Sequence, residues 1–395
     1  EVEPMPYAPL TREQTSDLIY SIMNDRQRAL YEERLDLDFS LDFGAAGRFR
    51  VNVFRGHRGL AAVLRVIPSQ IRSASELGLP RSVEELAELE RGLVLVTGPT
   101  GSGKSTTLAS LIDKINATRK GHILTIEDPI EFVHPPKLCV VNQREIGPPT
   151  HSFANALRGA LREDPDVILV GEMRDLETIS LAVSAAETGH LVFGTLHTSS
   201  AAQTVDRIID VFPSHQQAQI RAQLSESLRG VIAQNLVKRC DGKGRAAALE
   251  VLISTPAVRN LIREGKTFQL PSVIQTGMKE GMQTLDQSLA ELVLTGKVAE
   301  HEALSKAPDK EGFQRFLRDA SVSDGMRPGS PNGSGPSPAL AGAGTGAGLM
   351  APNASPGYGG NLGGGAGFPP PNRPLNGNPA PNGGNMGSLL GFGRK

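Results

Sequence analysis

One octapeptide, Gly98-Pro-Thr-Gly-Ser-Gly-Lys-Ser105, constrains this chain more than any other stretch of it. An apolar run, Leu93-Val-Leu-Val96, precedes it, and the residues from Thr106 to Asn116 read as a helix. Strand, glycine-rich loop and helix in that order are what a phosphate-binding loop requires. The glycines let backbone N–H groups turn inward around an anion, and the helix N-terminus adds the positive end of its dipole. On this reading Pro99, Thr100, Gly101, Ser102, Gly103, Lys104, Ser105 and Thr106 cradle the phosphates of a nucleotide. Lys104 reaches the outer phosphates, and the Ser105 hydroxyl ligates Mg²⁺. An incidental Gly-rich turn is the competing explanation, and the flanking strand and helix speak against it.

The surrounding pattern predicts an α/β fold. From Gly92, short β-like runs (92–97, 122–127, 138–141, 167–170, 191–196) alternate with helical stretches (104–116, 152–163, 175–187, 200–210). Apolar strands separated by helices imply a mostly parallel sheet covered on both faces. Residues 215–239 read as one long helix, 246–253 as another strand, and 256–320 as all-helical. Residues 1–68 look like a small α+β unit, with a helix over 11–33. Leu35, Leu37, Phe39 and Leu41 then alternate with Asp36, Asp38, Ser40 and Asp42, which is a half-buried strand. Two more strands, 48–54 and 60–67, flank a turn at Gly56–Gly59. The expected division is 1–68 as the first domain, 69–91 as a connector, 92–255 as the core, 256–321 as a helical region and 322–395 as a tail. The tail is rich in Gly, Pro and Asn and reads as disordered.

A net charge of −1 over 395 residues supplies no basic field for nucleic acid or an anionic membrane. No run of about 20 residues is apolar enough to span a bilayer, so no transmembrane anchor is expected. Cys139 and Cys240 lie far apart and in no metal-ligand spacing, which suits a reducing cytosol. The chain opens on Glu1 without a Met, and it reads as a fragment lacking its true start.

A phosphate loop alone binds; hydrolysis needs acids at neighbouring strand ends. Asp166-Val-Ile-Leu-Val-Gly-Glu172 is an apolar strand ending in an acid, with Gly171 interposed where many such strands place the acid at once. Ile126-Glu-Asp-Pro-Ile-Glu131 offers Glu127, Asp128 and Glu131 at the end of another. Strand carboxyl ends are where open α/β sheets bind ligands, so these acids are expected to converge on the loop. His197 closes a fifth strand at the same edge and could donate to a γ-phosphate or a carboxylate. Arg48, Arg50, Arg55, Arg58 and Arg65 recur in the first domain, with Arg48 and Arg50 on one strand face. Most read as a solvated basic face, although an arginine from a hinged domain often completes an ATPase site.

Taken together, Gly98–Thr107, Leu124–Val133, Ala160–Asp175 and Phe193–Thr198 resemble the secretion-type ATPase superfamily. Within it, Ala257-Val-Arg-Asn-Leu-Ile-Arg-Glu264 resembles a C-terminal signature of the type IV pilus retraction ATPases, and the similarity runs over about residues 10–315. The resemblance implies a RecA-like P-loop ATPase domain behind a PAS-like N-terminal domain that is incomplete at its start, with six copies in a ring. It implies ATP and Mg²⁺ as ligands, Lys104 and Ser105 at phosphate and metal, Glu131 activating water and Glu172 near the metal, directly or through water. His197 matches a histidine-box residue, and Arg50 and Arg65 match arginines that reach the γ-phosphate. It further implies a cytoplasmic protein peripheral to the inner membrane, working with a pilus platform protein and the pilus extension ATPase system, and without direct nucleic-acid contact. An accessory retraction ATPase and a pilus-extension or type II secretion ATPase remain alternatives; the latter usually carry a four-cysteine zinc insertion. A DNA-translocating ring and a nucleotide-gated scaffold that does not hydrolyse are the readings from other classes.

Overall fold

The computed structural model describes residues 3–44, 47–68, 70–146 and 152–324. At the N-terminus, helices α1 (Arg12–Ser21) and α2 (Asp25–Arg34) lie on one face of an antiparallel sheet of β1 (Asp36–Asp42), β2 (Arg48–Gly56) and β3 (Gly59–Ile67). The period-two pattern of β1 puts Phe39 against Val51, Val53, Ile19, Met23 and Tyr31 in a small apolar core. The single helix expected over 11–33 is two. Asn24 breaks it, because its side chain caps the new helix by accepting from the Gln27 N–H while Gln27 reciprocates.

Two short helices, α3 (Ala74–Leu77) and α4 (Arg81–Glu85), lead into the larger domain. They are not a free linker: Ala74, Leu79, Val83, Leu86 and Ala87 share an apolar cluster with Val94 and Val96 of the main sheet. Lys114 reinforces this by pairing with Glu88 at 2.9 Å. The expected connector 69–91 therefore belongs, from Ala74 on, to the core; its apolar spacing is that of a packed element.

The main sheet has the order β10-β9-β4-β8-β7-β5-β6. Its strands are β4 (Gly92–Thr97), β5 (Gly121–Glu127), β6 (Cys139–Glu145), β7 (Val167–Val170), β8 (Leu191–Leu196), β9 (Leu228–Lys238) and β10 (Arg245–Ile253). All pairings are parallel except β9 with β10. Every residue of β4, β7 and β8 is buried. Their alternate side chains enter two separate clusters, Leu93 and Leu95 on one face and Val94 and Val96 on the other. Helices α5 (Lys104–Thr118), α6 (Phe153–Ala160), α7 (Leu176–Thr188), α8 (Ala201–Asp210) and α9 (Ser214–Ser227) follow strands of this sheet or one another.

The long helix expected over 215–239 ends at Ser227, and the chain continues as β9. Leu228 to Ala233 pair with β4 at the centre of the domain, so burial beside β4 overrides the helix-forming Ala and Gln of this stretch. The end is all-helical, as expected: α10 (Pro256–Arg263), α11 (Leu270–Thr276), α12 (Leu285–Leu294), α13 (Glu300–Leu304) and α14 (Lys310–Asp324). Helix α14 runs past the expected boundary at 321, and the rest of the tail reading lies outside the described residues. No helix among the described residues is long and apolar enough to cross a membrane.

Candidate functional site

Because β4, β8, β7 and β5 are adjacent and parallel, the segments that follow them share one sheet edge. The phosphate-type loop follows β4, Glu172 lies two residues beyond β7, His197 follows β8, and Glu131 follows β5. Four motifs spread over about a hundred residues of sequence are thereby gathered, at the position where open α/β sheets hold ligands.

The loop is held open by glycine at its first residue. Gly98 has φ +139°, and a Cβ there would come within 2.3 Å of the Gln234 carbonyl oxygen. Helix α5 begins on Gly103 with no side-chain cap and no acidic residue in its first turn. By contrast, Ser152, Asp175 and Ser200 cap α6, α7 and α8 by accepting an N–H. The uncapped first-turn N–H groups of α5 and the unpartnered, buried Ser102 Oγ are donors suited to an anion. Lys104 Nζ donates to the carbonyls of Gly98 and Pro99 at 2.9 and 3.2 Å. Burial lowers its pKa, while the charges of Glu172 and Glu131 oppose that shift.

Glu172 Oε1 accepts from Arg174 Nε and lies 3.1 Å from His197 Nε2. Burial raises its pKa, but the Arg174 hydrogen bond and the charges of Arg174, His197 and Lys104 outweigh that and hold it below the ordinary value. Gly171 explains the departure from a strand ending directly in its acid. Its N–H donates to the Ile126 carbonyl at 2.7 Å, and a Cβ would press within 3.0 Å of that same oxygen.

Glu127, which ends β5, and Glu131 beyond it separate by environment. Glu127 faces inward, taking Thr125 Oγ1 at 2.7 Å and Gln143 Nε2 at 3.2 Å, and burial raises its pKa. Glu131 is part-exposed, and its N–H donates to Glu127 Oε2 at 3.4 Å. Glu127 lines a small cavity together with Ser105 of the loop, and it also supports the turn that carries Glu131.

Arg50 and Arg65 are cross-strand partners on β2 and β3. Arg50 is bonded to Asp38, which raises its pKa, and it also feels the charges of Glu131 and Asp128. Arg65 is exposed and makes no side-chain hydrogen bond or ion pair among the described residues. The structure thus places Arg50 within electrostatic reach of Glu131 and Asp128, with Arg65 opposite it on β3.

Sequence reasoning missed Gln234 of β9, a buried residue that ties the loop to its helix. Its Nε2 donates to the Ser102 carbonyl and its Oε1 accepts from Thr107 Oγ1, both at 2.7 Å. No local motif marks it, because the contact spans more than a hundred residues. Gln234→Leu strands both partners, so we expect a loss of about 1–3 kcal/mol. A thermal-unfolding scan would read this as a fall of several degrees.

The donor set fits Mg²⁺ bound with a nucleotide. It offers oxygen donors, the Ser105 hydroxyl beside the phosphate loop and the Glu172 carboxylate, the donor type a hard cation takes. Mg²⁺ suits such a sparse site because it keeps water and phosphate oxygens as ligands.

Residues 7–305 match the family described as type II/IV secretion system protein. The chain belongs to that family. It is 59% identical over 304 residues to the twitching motility protein of Neisseria gonorrhoeae, covering 77% of this chain and 81% of that one. It is 58% identical over 305 residues to a type IV pilus retractation ATPase, PilT, of Pseudomonas aeruginosa, covering 77% and 88% of the two chains. Its fold is similar to a crystal structure of the pilus retraction motor PilT with bound ADP, with TM-score 0.72 and 52% identity over 77% of this chain and 86% of that one. The mixed α/β sheet is therefore similar to that of a retraction motor solved with bound ADP.

Proposed function

We propose that this chain is a Mg²⁺-dependent ATPase that powers type IV pilus retraction, the pilin disassembly behind twitching motility. The observation that carries the proposal is the convergence of Lys104, Glu131, Glu172 and His197 on one sheet edge, in a chain so similar to a retraction ATPase. In this reading the larger domain is RecA-like and the N-terminal lobe PAS-like. Six copies assemble into a ring at the cytoplasmic face of the inner membrane, docked on a pilus platform protein and acting alongside the extension ATPase.

Lys104 and the N–H groups at the start of α5 hold the β- and γ-phosphates of ATP. Glu131 accepts a proton from water as its oxygen attacks the γ-phosphorus; the bond to the β–γ bridging oxygen breaks, and that oxygen leaves on ADP. Ser105 and Glu172 would hold Mg²⁺, directly or through water, and the ion would supply charge neutralisation at the phosphates. His197 and Arg174, both on Glu172 Oε1, keep that carboxylate ionised and aimed. Arg50 lies where an N-terminal lobe could lend a cation to the γ-phosphate, exchanging Asp38 for it. Since the segment from Ala74 onward is packed into the core, the lobe pivots upstream of Ser73.

The free cysteines favour retraction over an extension or type II secretion ATPase. The sequence holds two cysteines, both free, Cys139 buried and Cys240 exposed, which do not make up the four of a zinc insertion. The decisive test is a pilus-retraction assay in cells lacking this chain. Persistent, excess, non-retracting pili are expected, and loss of pilus assembly would instead identify an extension motor.

A further inference from the structure

We propose that Glu145 is a positioning residue that couples the N-terminal lobe to the loop carrying Glu131; this rests on the reading of Glu131 as the water-activating acid. Glu145 is the last residue of β6, the strand at the edge of the main sheet. Its carboxylate has bonds in two directions. Toward the core, Oε2 accepts the backbone N–H of Ile130 at 3.3 Å, one residue before Glu131. Toward the lobe, it accepts from Ser40 Oγ of β1 at 3.2 Å and from Arg48 of β2 at 3.3 Å.

Ser40 and Arg48 also bond each other, at 3.0 Å, so the lobe presents a joined pair of donors to one acceptor. Both charged partners are partly shielded, with Arg48 and Glu145 side chains 21% and 29% exposed. The bridge is thus less screened than a surface ion pair.

Other residues of the loop are hydrogen-bonded to the core. Gln143, on the same face of β6 by its spacing of two, donates to the Phe132 carbonyl and accepts the His134 N–H, both at 2.8 Å. Glu127 takes the Glu131 N–H. Phe132 and His134 therefore have an anchor that stays with the sheet, whereas Ile130 shares its anchor with the lobe. When the lobe moves, Glu145 either follows Arg48 and Ser40, releasing Ile130, or stays and loses them. A shift of Glu131 by a fraction of an ångström suffices to change turnover, since misplacement by 1 Å costs about 100-fold. Hydrolysis is in this way tied to the position of the lobe, without any change in the phosphate loop.

The test is a double-mutant cycle on the full chain, reading ATPase kcat and KM together with thermal midpoints. Glu145→Gln keeps an oxygen for Ile130 and Ser40 but loses the charge pair, and Arg48→Leu loses the same pair from the lobe side. Each is expected to lower kcat on the order of 10-fold with KM for ATP within about twofold. The double variant should match the single ones, because both cut one bridge. Glu145→Ala, which also frees Ile130, should lower kcat further; if it fails to fold, the cycle of the two milder variants still decides. Unchanged kcat in both, multiplied effects in the double variant, or effects confined to KM would overturn the coupling while leaving the ATPase reading intact. A wild-type chain without turnover, or full turnover in Glu131→Gln, would instead sink the reading on which the coupling rests.

Discussion

Glu172→Gln is expected to leave ATP binding within a few-fold of the wild type and to lower turnover by about two to four orders of magnitude. Glutamine has the shape of the native side chain but cannot carry its charge, and charge is what this position is built to hold. Two donors, Arg174 and His197, converge on Oε1, and Lys104 contributes a third positive influence. In the variant these groups lose their counter-charge, and an amide has one N–H₂ group that must avoid Arg174. Glu131→Gln should act in the same direction by removing the proton acceptor. Phosphate release at saturating ATP, beside equilibrium binding of a fluorescent nucleotide, separates the two quantities. Normal turnover in both variants would refute the assignment of the acids.

Lys104→Ala should weaken nucleotide affinity by about 100-fold or more, and turnover should vanish with it. The ammonium is poised over the loop by two carbonyls that a phosphate can replace as its partners. It is also a cation on which the charges of both Glu131 and Glu172 act. Without it, two carboxylates would face the γ-phosphate uncompensated, so affinity suffers both from lost attraction and from new repulsion. Alanine is the best helix former and sits at the first position of α5, so the fold should survive. A thermal scan would confirm this, and isothermal titration with ATP would measure the loss. Retained tight binding would show that the loop is not the phosphate site.

How much of this was legible in the residues alone depends on the range of each interaction. The strand–loop–helix at Leu93–Asn116 could be read directly, since the loop's geometry follows from glycines a few positions apart. The strands of the α/β core were also legible, because continuous Val, Ile and Leu runs are the signature of burial on both faces. Strand β9 was not, since Ala, Gln and Leu in Leu228–Lys238 continue a helical pattern that only pairing with β4 overrides. The arginines of β2 show the same limit. Spacing placed Arg48 and Arg50 on one face, yet Arg50 meets Asp38 and feels Glu131, while Arg48 crosses to Glu145 on another sheet.

The sequence by itself determined the reactive groups and their local settings: a glycine-lined anion loop, two acid-tipped strands and a histidine at a strand end. Those follow from backbone freedom and side-chain chemistry within a few residues. Tertiary structure alone decided that β4, β8, β7 and β5 stand side by side, that Gln234 braces the loop from β9, and that Glu127 turns inward while Glu131 does not. The physical reason is that strand order and burial are set by packing of the whole apolar core, which brings together residues whose separation along the chain carries no trace of their contact.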